Sequence, residues 1–160
     1  MIRVQREDFD PGAELAGFSA GKTSVGGICL FIGLVRDYLG HSPASGSGPA
    51  AGAEVRAMTL EHYPGMTERQ LEAIEAEAHK RWPLEDTLVI HRYGRLEPGE
   101  RIVLVAASSA HRDAAFEACR FLIDWLKTKA PFWKVEHTRD GDSWVDAKES
   151  DDAAAARWEK

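Results

Sequence analysis

The chain has 160 residues, 44% of them hydrophobic, which suits one domain with a core of its own. Lys and Arg total 20 against 26 Asp and Glu, a formal charge of -6, and that balance argues against a general nucleic-acid or membrane-surface binder, which carries a basic face. Any cationic patch must therefore be local.

The opening segment MIRVQREDFDPG has no apolar signal region, and no apolar run approaches the roughly 18 to 20 residues that span a bilayer. A cytoplasmic protein is the expectation. Cys29 sits in the apolar run GGICLFIGLV and Cys119 in the helical pattern AAFEACRFLIDWL. Two cysteines in such surroundings read as inert core residues, not as a disulfide framework, a metal site or a nucleophile.

In chain order the pattern is α+β without a regular βαβ repeat. IRVQ is a short strand. DPGAELAGFSAG predicts a brief helix with Asp10 as N-cap, Pro11 at the first helical position and Gly21 near its end. SVGGICLFIGLVR reads as a long buried strand whose glycines allow a bulge or a close backbone approach. Residues 40–53, GHSPASGSGPAAGA, read as a mobile surface loop and not as a domain linker, because too little chain precedes them for a separate core. EVRAMTLEHY resumes as a strand. TERQLEAIEAEAHKRW is an amphipathic helix with Leu71, Ile74 and Ala78 on its packing face. TLVIHRYG and RIVLVAAS are two more apolar strands, joined by the turn RLEPGE. A long helix, HRDAAFEACRFLIDWLKTK, is stopped by Pro131, and FWKVEHT and SWVDA form final strands around the turn RDGD.

The long helix has an informative polarity. Its spacing puts Phe116, Cys119, Ile123 and Leu126 on one face, and Asp113, Glu117, Arg120, Asp124 and Lys127 in a polar stripe. Ser109 is its expected N-cap, with His111 and Arg112 in the first turn, where free backbone N–H groups favour anions and disfavour cations. Two readings stay open there: Arg112 meets a carboxylate while His111 caps, or both await a phosphate or carboxylate ligand. At the other end Lys127 and Lys129 complement the helix dipole, which is the preferred reading for Lys129. Lys134 follows Phe132 and Trp133, and an ammonium beside apolar surface is suited to acid, base or nucleophile chemistry.

LEHYPGM at 60–66, SAHR at 109–112, LKTKAPFWK at 126–134 and the later WV and ES together resemble the large, catalytic subunits of molybdopterin synthases. The resemblance runs in order along nearly the whole chain, except for the 40–53 loop, which looks like an insertion. It implies an α/β hammerhead-like α+β domain spanning residues 1–160, with a mostly antiparallel sheet and two main amphipathic helices. It also implies a homodimer within a heterotetramer, in which each copy binds a small ubiquitin-like sulfur-carrier subunit ending in a Gly-Gly thiocarboxylate. The implied reaction moves two sulfurs onto cyclic pyranopterin monophosphate to build the dithiolene of molybdopterin, with no metal or other cofactor in the enzyme.

By the same resemblance, Lys127 and Lys134 are the catalytic pair, and Arg36, His111 and Arg112 bind substrate. Leu34, Val35, Val135, Glu136 and Lys148 join them. Leu34 stands where a lysine can occur in the family and Lys148 where an arginine can. Both the carrier tail and the pterin phosphate are anionic, so a local lysine cluster in an acidic protein makes chemical sense. Two rivals remain at this level. One is a Schiff-base lysine enzyme acting on a phosphorylated carbonyl compound; the other is a non-enzymatic binder of an acidic peptide tail.

Overall fold

Two apolar runs, 84–92 and 101–109, alternate their side chains between two covered faces, and this alternation builds the centre of the molecule. The computed structural model describes residues 1–37, 55–139, 141–145 and 149–159; the expected 40–53 loop and Lys148 lie outside the described residues. The elements run β1 (Ile2–Gln5), α1 (Pro11–Ser19), β2 (Gly27–Leu34), β3 (Val55–His62), α2 (Met66–Arg81) and β4 (Leu84–Arg92). They continue as β5 (Gly94–Leu96), β6 (Arg101–Ser109), α3 (Arg112–Thr128), β7 (Phe132–Thr138), β8 (Gly141–Val145) and α4 (Glu149–Ala156). One four-stranded sheet has the order β1-β4-β6-β2 and another the order β5-β3-β7-β8. Among these pairings β1–β4 is parallel and the rest are antiparallel. The architecture is the expected α+β, with its antiparallel strands divided between two sheets.

The first sheet is covered on both faces. Val89, Val105 and Ala107 pack with Leu71, Ile74 and Ala78 of α2 and with Ala118, Cys119, Phe121, Leu122 and Leu126 of α3. On the opposite face Leu88, Ile90, Leu104 and Ala106 meet Phe9 and Phe18. Phe121 is fully buried and meets Trp82 and Trp158 edge-on, at 5.4 and 5.6 Å between ring centroids; each such pair adds about 0.5–1.5 kcal/mol beyond the area it buries. A third cluster, Val35, Leu60 and Leu96, lines the inner face of the second sheet. No helix among the described residues is long and apolar enough to cross a membrane.

The start of α1 follows its sequence signals: Asp10 Oδ1 accepts from the backbone N–H groups of Gly12 and Ala13 at 2.8 and 3.0 Å. Other expectations need correction. The segment read as a turn after Tyr93 contains β5, because Gly94, at φ +94°, turns the chain out of the first sheet and lets residues 94–96 pair with β3. The turn proper is Glu97–Glu100, closed by the Glu100 N–H on the Glu97 carbonyl at 3.0 Å. β2 ends at Leu34 and is only half-buried, since it is an edge strand with a register shift at Gly33/Leu34. Ser109 is the last residue of β6, and His111 takes the N-cap position of α3 without a side-chain capping bond. Phe116 is 59% exposed, because the buried arc of α3 runs through Ala114, Ala115, Ala118, Phe121 and Leu122 and leaves it outside. A further helix, α4, follows β8 where no sequence signal announces one. Trp158, just beyond it, is buried in the α2–α3 cluster and holds it there.

Candidate functional site

The cations of interest are distributed over the two ends of α3 and the strand that follows it. At the start, His111 and Arg112 are exposed, and the ion pair of Arg112 is with its own neighbour Asp113, at 3.8 Å. Of the two readings left open there, the one in which the His111 side chain caps is not met: His111 makes no capping bond, so the first-turn N–H groups of α3 keep their anion-binding character. The position of this helix end is set by close backbone contact. A Cβ on Gly26 would lie 2.2 Å from the Ala110 carbonyl oxygen, and the Gly26 N–H donates to the Ser109 carbonyl at 3.0 Å.

At the far end, Lys127 occupies the last turn of α3, and its Nζ lies 3.3 Å from Asp151 Oδ1 of α4. Lys129 is the C-cap and pairs with Glu159 at 3.2 Å. The chain then turns through Pro131 into β7, where Lys134 stands opposite Leu60 of β3 and Val145 of β8. Lys134 is therefore on the inner, half-buried face of the second sheet. Val135 is opposite Thr59 and Trp144 on the outer face, and Glu136 is opposite Met58 and Ser143 on the inner one.

Val35 is buried and pinned to the β5–β6 turn: its N–H donates to the Glu100 carbonyl at 2.9 Å, and its carbonyl accepts from the Gly99 N–H at 2.8 Å. Leu34 and Arg36 flank it and are both exposed. The structure thus joins Lys127 and Lys134 across one short turn and keeps His111 and Arg112 at the opposite end of the helix. Fifteen positions separate Arg112 from Lys127 within α3, a rise of about 22 Å.

Sequence reasoning does not single out the histidines near Lys134. His91 of β4 is buried and lies flat on Phe132, 3.7 Å between centroids and 14° between planes. Its Nδ1–H donates to the Arg92 carbonyl at 2.9 Å, which fixes the tautomer. Burial pushes His91 down to about 4; the Arg92 carbonyl opposes this, and the charges of Lys134 and His62 add to it. His62 lies 4.2 Å from the Tyr93 ring. The one hint in the sequence is the LEHYPGM segment, which contains His62.

A cleft of about 440 Å³ is lined by Glu61, His62, Tyr63, Trp133 and Trp144. Trp133 and Lys134 alternate to opposite faces of β7, so the Trp133 wall of this cleft faces away from Lys134, whereas His62, opposite Phe132, shares the face of Lys134. The lysines, and not the cleft, carry the chemistry read from the sequence. Cys119 is buried beside Cys29, and burial raises its thiol well above the ordinary value; a thiolate there is disfavoured.

Fold and site together describe a two-sheet α+β protein whose candidate reactive groups are lysines and whose helix ends suit anionic ligands. Comparison with known proteins makes the class specific. The MoaE protein family profile matches residues 4–129. A molybdopterin synthase catalytic subunit from Pseudomonas aeruginosa is 52% identical over 159 residues, covering 99% of both chains. Among solved structures, a molybdopterin biosynthesis MoaE protein from Burkholderia ambifaria superposes with a TM-score of 0.79 at 49% identity, over 99% of this chain and 97% of that one. Molybdopterin synthase from Staphylococcus aureus superposes with a TM-score of 0.76 at 28% identity, over 90% of this chain and 96% of that one. The chain belongs to the MoaE family.

Proposed function

We propose that this chain is the catalytic subunit of a molybdopterin synthase. It transfers sulfur from the C-terminal thiocarboxylate of a small ubiquitin-like carrier to cyclic pyranopterin monophosphate, and two such transfers complete the dithiolene. The observation that carries the reading is the near-full-length likeness to a catalytic subunit of that enzyme. The lysine arrangement supports it, because both reactants are anions and the sulfur arrives already activated on the carrier. The enzyme's task is then to hold charge and move protons, which lysine ammonium groups do without a thiolate of their own.

In this reading Lys127 orients the carrier tail and donates a proton at the tail carbonyl or the substrate oxygen, and Lys134 is the second donor and charge stabiliser. Arg36, His111 and Arg112 hold the pterin phosphate, with Leu34, Val35, Val135, Glu136 and Lys148 around them. The protein acts as a single domain, in the cytoplasm, as a homodimer that binds two carriers, and without nucleic acid or membrane as a partner. His111 and Arg112 reach the lysines from the second copy, since one helix holds them far apart in a single chain. The test is direct: incubation with thiocarboxylated carrier and cyclic pyranopterin monophosphate should yield molybdopterin, and carrier without the thiocarboxylate should yield none. Absence of product from the loaded carrier refutes the assignment.

A further inference from the structure

Lys127 has a carboxylate one helical turn behind it, and that carboxylate is engaged elsewhere. Asp124 is at the i−3 position, the ordinary partner for a lysine on a helix surface. Its Oδ2 instead accepts from Trp158 Nε1 at 2.9 Å and faces Arg157 Nε at 3.8 Å. Among the described residues, the acid that reaches Lys127 is Asp151, in the first turn of α4, at 3.3 Å. One C-terminal segment therefore does two things: through Trp158 and Arg157 it occupies the local carboxylate, and through Asp151 it supplies a distant one.

The segment is firmly held. Trp158 is buried against Phe121 and Trp82, and its carbonyl accepts from Arg81 Nη1 at 2.6 Å. The Asp151 side chain is 23% exposed and that of Lys127 49%, whereas the neighbouring Lys129–Glu159 pair is 42% and 58% exposed. A carboxylate near a helix N-terminus is itself favoured by the dipole, as is an ammonium near a C-terminus. The end of α3 and the start of α4 thus bring opposite charges together where the two dipoles reinforce them.

We propose that Asp151 is a positioning residue for the Lys127 ammonium. It holds the side chain of Lys127 in one orientation at the end of α3, ready for proton donation, and does not itself touch substrate. This rests on the reading of Lys127 as a catalytic residue. An anionic substrate entering the site meets a lysine whose rotamers are already restricted, which places the benefit in turnover and not in ground-state binding.

Asp151→Asn and Asp151→Glu test the idea, with Glu159→Gln as a control for an ordinary helix-end ion pair. Steady-state sulfur transfer is measured alongside the acetylation rate of individual lysines by an amine-reactive ester, read by peptide mass spectrometry. Asp151→Asn should lower kcat about tenfold with little change in the pterin KM, and should speed Lys127 acetylation severalfold while leaving Lys129 unchanged. Asp151→Glu should recover most of kcat. Glu159→Gln should speed acetylation at Lys129 and leave kcat as it was. Wild-type kcat in Asp151→Asn overturns the proposal, and if Lys127→Ala is inactive in the same assay the role of Lys127 survives. Wild-type turnover by Lys127→Ala removes both. A lowered kcat with unchanged Lys127 acetylation identifies a general structural effect and also overturns the proposal.

Discussion

His91 of the first sheet lies flat against Phe132 of the second, 3.7 Å between ring centroids, two residues before Lys134. The stack joins the sheets next to a lysine proposed to take part in the chemistry, and its burial favours a neutral imidazole. The folded-state value of about 4 lies below the ordinary 6.5, so the unfolded chain binds the extra proton between those two values. Stability from this group is fully present above pH 6.5 and is lost as pH falls toward 4. Between pH 7 and pH 5 the loss should be about 2 kcal/mol. Urea unfolding at the two pH values should show it, and His91→Phe, which keeps a flat ring, should remove most of that difference. An equal pH dependence in the variant would assign it to other groups.

Lys127→Ala should nearly abolish sulfur transfer and leave the fold in place. Lys127 is outside the buried face of α3, and its pair with Asp151 is partly solvent-exposed, so the stability cost should be no more than about 1 kcal/mol. Lys129→Ala, which removes a comparable surface pair, should retain activity. Thermal unfolding and turnover measured on both variants decide the matter. Wild-type turnover without Lys127 would reduce that residue to a helix-end charge.

Gly26 should tolerate no side chain. A Cβ there meets the Ala110 carbonyl oxygen at 2.2 Å, while one on Gly27 meets nothing closer than the Arg112 Cα at 3.5 Å. Gly26→Ala must push the start of α3 away from β2, at a cost of roughly 1–3 kcal/mol, and should weaken substrate binding through the displaced His111 and Arg112. Gly27→Ala is the matched control. Similar melting temperatures for the two variants would show that the backbone relaxes around the extra methyl.

What the sequence made legible was local. Asp10 and Pro11 announce α1 by chemistry confined to one turn. The apolar runs of β4 and β6 are strands because both faces of their sheet are covered. β5 is three residues long and exists through its pairing with β3, so no local pattern announces it. α4 is a short alanine-rich helix without a packing stripe, held by Trp158 in a cluster made by distant elements. The site divides in the same way. Lys127 and Lys134 stand out within one short segment, but Asp151 is 24 positions from its lysine, and His91 meets Phe132 only once the two sheets are assembled. Phe116 shows the limit of periodicity, since one residue of rotation separates it from the buried Ala115 of the same helix.

The separation of Arg112 from Lys127 leads to the most discriminating prediction. Both belong to α3, fifteen positions apart, and about 22 Å of helical rise lies between them. Side chains from one chain cannot close that gap around one small pterin. If both serve the same phosphate-bearing substrate, the pocket combines Lys127, Lys134 and Arg36 of one copy with His111 and Arg112 of the other. A two-fold interface places each helix start at the other's helix end and creates two such pockets. Lys127→Ala protein and Arg112→Ala protein should each be inactive alone. After subunit exchange, a heterodimer holds one pocket with both defects and one with neither, so its activity should return toward half of the wild-type value per dimer. Exchange is verified by native mass spectrometry on differently tagged copies, and sulfur transfer is then assayed. If exchanged heterodimers remain inactive, the two helix ends act within one chain and the shared pocket does not exist.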